Sequence, residues 1–434
     1  MQSPSTPPMS PYVNPPTDAR ARGLIMSDDA GAVQVIAHEG GMVDIAALTS
    51  STNRPLKPLP YEPSEPTCAI PGAYDIPVVV DQVLIKNRDV ALATTEPGGY
   101  VKADNETLTS GYRETHIVPV TKPLSGEPTN GGAVDDRARI EASITSLTEL
   151  RIQERLDETL QIPPLPEAAR KIIALRADPD FEIAALVSII ETDPSMAARI
   201  MGWANSAFYH VDPPARSIDD AVMRILGFDT ASSMALGLAL GESLKLPEAH
   251  VRGLPPYWLD AVFTAATMEA FARHIPQQQR PNVCLCYLTG LLANFGTLVL
   301  GHVFPPYYQT ICELQEANRH IPHTHVDQHV INIPREIIAA ALLEAWALPE
   351  EVTDAVRFQF ANDYKGSNAT FVNLLQLARQ SLGAQGLNDY PPTHLDEAVP
   401  DQLGLSGDEV ALVMEQINDS ATELDSLAKA YRQG

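Results

Sequence analysis

Cysteine is scarce. Cys68, Cys284, Cys286 and Cys312 are the four in 434 residues, too few and too scattered for a disulfide framework. Cys284 and Cys286 are separated by a single residue, whereas a zinc knuckle or redox pair needs two, so all four read as reduced core thiols. Positive charge is also in short supply: 30 Lys and Arg face 55 Asp and Glu, for a net charge of −25. Such a field repels phosphate backbones and argues against a general nucleic-acid binder. No uncharged apolar run of about 18 residues is picked out, so no membrane span is expected. The stretch from Met1 to Pro16 offers neither a basic n-region nor an apolar core, so no signal peptide is expected and the cytoplasm is the default compartment. Hydrophobic residues still make up 44% of the chain, enough for sizeable cores, and the length implies more than one domain.

Organisation changes along the chain. Residues 1–20 hold Pro4, Pro7, Pro8, Pro11, Pro15 and Pro16 among polar residues and read as a disordered leader. From Leu24, two β-branched runs flank Asp28-Asp-Ala-Gly31, which supplies turn chemistry, so a hairpin is expected. A short helix capped by Asp44, and strands at Ile76–Val80, Val90–Thr94 and Tyr100–Lys102, complete a small α+β domain over residues 21–116. Residues 117–140, whose middle is rich in Pro, Gly and polar groups, read as a linker.

Residues 141–434 read as an all-α bundle. Asp180 is a candidate cap for a helix carrying Ile183, Leu186, Val187 and Ile190. Asp193-Pro194 places an N-cap before a proline at the first helical position, where its missing N–H is harmless. Ser217 and Ser406 each open a capping box. Further helices are read at Ala231–Leu244, Trp258–Arg273, Tyr287–Val303, Glu336–Trp346, Glu350–Phe360 and Phe371–Leu382, with one long helix after Ser406. Met196, Met201, Met223 and Met234 read as core fillers.

Four ordered motifs in this region carry a resemblance. Ile162-Pro-Pro-Leu-Pro166, Ile190-Glu-Thr-Asp-Pro194, Ala204-Asn-Ser-Ala-Phe-Tyr209 and Ser217-Ile through Ile225-Leu-Gly227 together resemble the HDOD domain, a bacterial output module related to metal-dependent HD phosphohydrolases. The resemblance implies an HD-like bundle. In the related hydrolases, His and Asp side chains grip one or two metal ions that activate water and polarise phosphate. At the corresponding positions this chain has Asp260, Ala293, Asn294, Arg335, Gln359, Phe360 and Arg379. Alanine and phenylalanine offer no ligand atom, and arginine brings positive charge to the place of a cation. The expectation is a degenerate site with no catalytic residues, no metal and no cofactor.

Other polar residues are weighed separately. His325 and His329, four apart, would share a helix face and with His323 could chelate zinc, but a solvated helix surface is the favoured reading. Arg199, Asn205, Ser206 and Tyr209 form a candidate interaction stretch, with a helix-corner lock as the structural alternative. Residues 21–115 are similar, more faintly, to the YbaK-like aminoacyl-tRNA deacylases. The similarity is carried by Leu24-Ile-Met26, Val33–Ile36, Ala69-Ile-Pro-Gly72 with Ile76-Pro-Val-Val-Val-Asp81, and Gly98-Gly-Tyr100. That family's lysine is replaced by the Ala21-Arg22-Gly23 stretch, so Arg22 is a candidate contact and a binding-only domain is expected. The resemblances, with their ligand positions replaced, imply a non-enzymatic bacterial signalling scaffold with a signalling protein as partner and a small-molecule or nucleotide ligand as a further possibility; the acidic balance disfavours tRNA, and the lack of an apolar run leaves no membrane partner. The competing reading is an enzyme: an editing deacylase, or a cryptic metal-dependent phosphohydrolase.

Overall fold

The computed structural model describes residues 10–12, 15–59, 67–96, 98–109, 114–124, 136, 138–143, 164–178, 180–206, 209, 211–242, 244, 249–361, 364–391 and 398–432. The chain forms two compact units. The sheet unit comprises Met1–Glu127, Ala249–Gly253 and Pro306–Val330; the helical unit comprises Pro128–Glu248, Leu254–Pro305 and Ile331–Gly434. Two stretches of the region read as one helical domain, 141–434, therefore fold with the sheet.

The strands are β1 (Arg20–Asp28), β2 (Gly31–His38), β3 (Gly41–Val43), β4 (Lys57–Pro58), β5 (Val78–Asp81), β6 (Asp89–Ala93), β7 (Tyr100–Asp104), β8 (Thr115–Val118) and β9 (Thr121–Pro123). The first helices are α1 (Ile45–Thr52), α2 (Asn105–Thr109), α3 (Glu167–Ala177), α4 (Ile183–Thr192), α5 (Pro194–Ala204) and α6 (Gly227–Glu242). Next come α7 (Tyr257–His274), α8 (Val283–Leu292), α9 (Phe295–Val303), α10 (Pro305–Ala317), α11 (His323–Ile331) and α12 (Arg335–Ala345). The chain closes with α13 (Glu350–Phe358), α14 (Ala369–Ala384), α15 (Ala398–Leu403), α16 (Gly407–Asp419) and α17 (Ala421–Arg432).

In the sheet unit, β1 and β2 form the expected hairpin, with Asp28 paired to Gly31 across the turn. The Asp28 carboxylate accepts the Ala30 N–H at 2.9 Å and is gripped by Arg54. The main sheet runs β7-β6-β1-β2-β5-β8, with β4 beside β1. Parallel pairs (β1/β6, β2/β5, β5/β8) mix with antiparallel ones (β1/β2, β6/β7), making an α/β sheet where an α+β domain was expected. Val33 to Ala37 of β2 are buried without a break, because both faces of the sheet are covered. Val33, Val35 and Ala37 pack with Leu48 of α1 and Ala317 of α10; Ile36 packs with Val78, Val80, Leu84 and Leu108. Asp44 caps α1 as expected, accepting from Ala46 and Ala47 at 3.1 Å.

Two boundaries differ from the sequence reading. Residues 117–123 lie in β8, β9 and the turn between them, where a linker was expected; β8 extends the sheet beside β5, and β9 pairs with β3. Averaged composition hides such short strands among Pro119, Pro123 and polar neighbours. In the leader, Pro11 bridges Val101 and Tyr12 N–H donates to Tyr100 at 2.9 Å, so these residues are ordered against β7. Residues 1–9 and 13–14 of the leader, and 125–135 and 137 of the linker, lie outside the described residues.

In the helical unit one apolar cluster runs from Ala169 to Ala428. Asp193 caps α5, accepting from Ser195 at 2.9 Å and Met196 at 3.2 Å, with Pro194 at the first turn. Ser406 opens α16 with a complete capping box. Asp180 does not cap α4: Glu182 holds that position, and Asp178 accepts the Asp180 N–H at 2.9 Å. Ser217 accepts from Asp220 at 3.1 Å, and the segment then widens into a π-helix, Ala221–Leu226, ended by Gly227 at φ 76°. Met223 on that π-turn is 60% exposed, so it is not the core filler expected, unlike Met196 and Met234. The long helices read at Tyr287–Val303 and after Ser406 are broken at Ala293–Asn294 and at Ser420. Val283–His302 is an uncharged stretch of 20 residues, apolar enough to cross a membrane, which corrects the expectation that no such run exists; 78% of its most apolar 18-residue window is buried within the protein, as befits core segments. All four cysteines are free thiols.

Candidate functional site

Two close helix contacts set the geometry of the helical unit's polar centre. At Gly290 of α8 a Cβ would stand 2.5 Å from the Ala265 Cα of α7, so only glycine lets these helices approach and bring the end of α8 beside Asp260. Gly296 of α9 lies similarly tight against Arg335 of α12. Asp260, in the first turn of α7, is buried; its carboxylate accepts from Thr264 Oγ1 at 3.0 Å and from Asn294 Nδ2. Asn294 sits at the N-cap of α9, where an asparagine normally satisfies the first amides. Here its side chain makes no cap bond and turns inward.

Arg379 of α14 joins the set. It is 0% exposed. Its Nη1 donates to Gln359 Oε1 at 2.8 Å and to Asn294 Oδ1 at 3.4 Å, and its Nη2 donates to Asp389. The Gln359 amide is fixed in turn, its Nε2 donating to the carbonyls of Ala293 at 3.0 Å and Val356 at 2.9 Å. The Arg379 guanidinium lies 5.6 Å from the Phe360 ring, which stacks at 5.2 Å on Tyr390. Of the seven positions singled out in the sequence, Asp260, Ala293, Asn294, Gln359, Phe360 and Arg379 thus meet in one network. Arg335, also buried, donates to Thr297 at 3.2 Å. Thr264, Asp389 and Tyr390 were missed; a buried arginine on an apolar helix demands an acid, but nothing local tells which one. Nearby, burial and the Asp260 carboxylate push the Tyr257 phenol well above its usual range.

The set does not fit a divalent ion. Three oxygens, from Asp389, Gln359 and Asn294, converge on one spot, and the guanidinium of Arg379 already holds them. A second cation there would face a fixed like charge in a low-dielectric interior. No metal-bound water can be routed through this arrangement.

The remaining candidates fall elsewhere. Asn205 ends α5, but its side chain bonds no helix carbonyl. It exchanges two bonds with the backbone of Ala215, at 3.1 and 2.6 Å, and so locks the following loop. Ser206 adjoins it, Arg199 is buried on α5, and the Tyr209 phenol is pushed well up by burial, with Tyr287 and Glu269 adding to the effect. Ala207, Phe208, Ile162 and Pro163 of the motifs lie outside the described residues.

In the sheet unit, Arg22 of β1 donates through Nη2 to the Ala317 carbonyl at 2.8 Å and to Asn318 Oδ1 at 3.3 Å. Asn318 accepts the Val43 N–H at 2.7 Å and donates to the Val43 carbonyl at 3.1 Å. Burial lowers Arg22 to about 10, with Glu39 opposing from a distance. On α11, His323 and Asp327 are buried four residues apart, while His329 is exposed, so the favoured solvated-surface reading holds for one face only.

The ordered motifs lie in a helical region, and they define an HDOD domain. The HDOD domain model matches residues 162–361, so the chain contains an HDOD domain over those residues. Along nearly its whole length it is similar to a crystal structure from Marinobacter aquaeolei VT8, provisionally named a signal transduction protein: 33% identity, 99% of this chain and 97% of that one covered, TM-score 0.88. An HDOD domain protein of unknown function from Geobacter sulfurreducens shares the fold at 18% identity, covering 68% of this chain and 98% of that one with a TM-score of 0.52. An uncharacterised protein of Treponema pallidum (strain Nichols) is 27% identical over 207 residues, which is 48% of this chain and 38% of the relative, so the match spans well under half of that protein.

Proposed function

We propose that this chain is a non-enzymatic signalling protein whose HDOD domain serves as a binding scaffold. One observation carries the reading: the polar centre of the helical unit is filled by Arg379, bonded to Asp389, Gln359 and Asn294, where a phosphohydrolase needs a metal ion and its water. A docked signalling protein is the partner this reading implies, in the cytoplasm, with a small metabolite or nucleotide as a second ligand. The sheet unit belongs to the same reading as a degenerate YbaK-like domain. In support, the Arg22 guanidinium is engaged with Ala317 and Asn318 of its own chain, so it is not available to grip a tRNA phosphate.

The test is an assay of the full chain against cyclic dinucleotides with manganese, magnesium or zinc, and against mischarged tRNAs. No turnover above background is expected. Metal-dependent hydrolysis abolished by Asp260→Ala, or deacylation abolished by Arg22→Ala, would overturn the scaffold reading for the unit concerned.

A further inference from the structure

We propose that His320 is a proton-operated clasp in the sheet unit: with a neutral ring it fastens the turn after α10 to the turn between β2 and β3, and with a protonated ring it lets go. The acceptor is held in place by packing. A Cβ at Gly41 would stand 2.8 Å from Thr121 Cβ, so only glycine lets β3 lie this close to β9. His320 Nε2 is 3.1 Å from the Gly41 carbonyl oxygen. A carbonyl only accepts, so the neutral ring carries its proton on Nε2 and its lone pair on Nδ1. Nδ1 is closed to solvent and has no hydrogen-bond partner among the described residues. A second proton would therefore arrive at a buried atom with nothing placed to receive it. The charged groups nearby make the same demand. Arg22 of β1 and His325 of α11 are within electrostatic reach of the ring, while the Glu39 carboxylate is taken up by the Tyr100 hydroxyl, which donates to it at 2.9 Å. Burial pushes His320 well below its ordinary value of 6.5, Arg22 and His325 add to this, and the backbone of Gly41 and Glu39 offsets only part. Two residues away, Asn318 bonds both backbone atoms of Val43, so the clasp shares its seam with contacts that do not titrate. The stretch it fastens, Pro306–Val330, folds with the sheet although it is drawn from the middle of the helical sequence.

The sign of the pH dependence follows. The folded ring favours the neutral form, so the clasp is complete above 6.5. Each pH unit below 6.5 makes its opening about tenfold easier, until the lower folded value is passed. Hydrogen exchange of the full chain, corrected for the intrinsic effect of pH, reads that opening at the Val43 amide, which donates to Asn318 Oδ1 at 2.7 Å. Between pH 7.5 and 5.5 its protection is expected to fall about tenfold. His320→Gln keeps a side-chain N–H for the Gly41 carbonyl and cannot titrate, so its protection should stay level over the same range. An equal fall in both proteins, or no fall in the natural chain, overturns the proposal. Should His320→Gln not fold, NMR titration of the natural chain decides: the His320 ring must titrate below 6.5 and carry its proton on Nε2 at neutral pH. A ring that titrates at or above 6.5, or that carries the proton on Nδ1, refutes the clasp. None of these readouts depends on a partner or on turnover.

Discussion

The sheet unit holds a half-buried arginine and the helical unit a fully buried one, and the two are handled differently. In the sheet unit, Arg22 meets neutral oxygens, the carbonyl of Ala317 and the amide of Asn318; among the described residues no carboxylate bonds it, and its affinity for a proton drops to about 10. In the helical unit, Arg379 meets a carboxylate and two amide oxygens. An arginine bound by carbonyls can be exchanged for an apolar side chain without stranding an opposite charge. An arginine bound by a buried acid cannot. The first is therefore a seam that joins α10 to β1, and the second is the keystone of a polar centre.

That contrast can be broken by substitution, and all three tryptophans, Trp203, Trp258 and Trp346, fall in the helical unit, so their fluorescence reports that unit alone. The largest effect is expected for Asp389→Asn, which leaves the guanidinium buried without its acid: a loss of about 3–5 kcal/mol read by urea denaturation with tryptophan fluorescence. Asn318→Ala removes bonds to both backbone atoms of Val43 and one to Arg22. It should cost about 2 kcal/mol, seen as faster hydrogen exchange in β1–β3. Arg22→Met should shift stability by less than about 1 kcal/mol, since no acid is stranded. A loss as large as that of Asp389→Asn would erase the distinction drawn between the arginines.

The smallest effects are those of pH, and their signs oppose. Asp28 in the sheet unit is held below its usual value of 3.8 chiefly by its hydrogen bond from Arg54. Its contribution is complete above 3.8 and is lost as the pH falls through the lower folded value. Asp136 in the helical unit is raised above 3.8 by burial, which outweighs the opposing Arg357. Its ionised form is disfavoured in the fold, so stability is greatest below 3.8 and declines as the pH rises through the folded value. Acid titration of Asp28→Asn and Asp136→Asn should therefore remove slopes of opposite sign. Slopes of the same sign would show that the two environments were misjudged.

Much of this was legible in the residues. Caps with short-range chemistry, Asp44, Asp193 and Ser406, bond as their positions imply, because a cap is decided within four residues. The hairpin around Asp28 and Gly31 is equally local. What was hidden is what depends on long-range choice. An amphipathic helix such as α10 declares that it has an apolar face but not which core receives it, so its place with the sheet could not be read. The short strands β8 and β9 exist only because β5 and β3 offer edges. For the candidate site, the positions on the helices were legible from the motif frame. Asp389 was not, since it reaches Arg379 from a loop that no periodicity marks.

The central claim is that the Arg379 side chain, and no metal ion, holds the polar centre of the helical unit together. Crystals of the natural chain grown with manganese and measured at its absorption edge test it most directly. The account predicts no anomalous peak within reach of Asp389, Gln359 and Asn294, and continuous density for the Arg379 guanidinium between them. A peak there, with Arg379 swung aside, would contradict it.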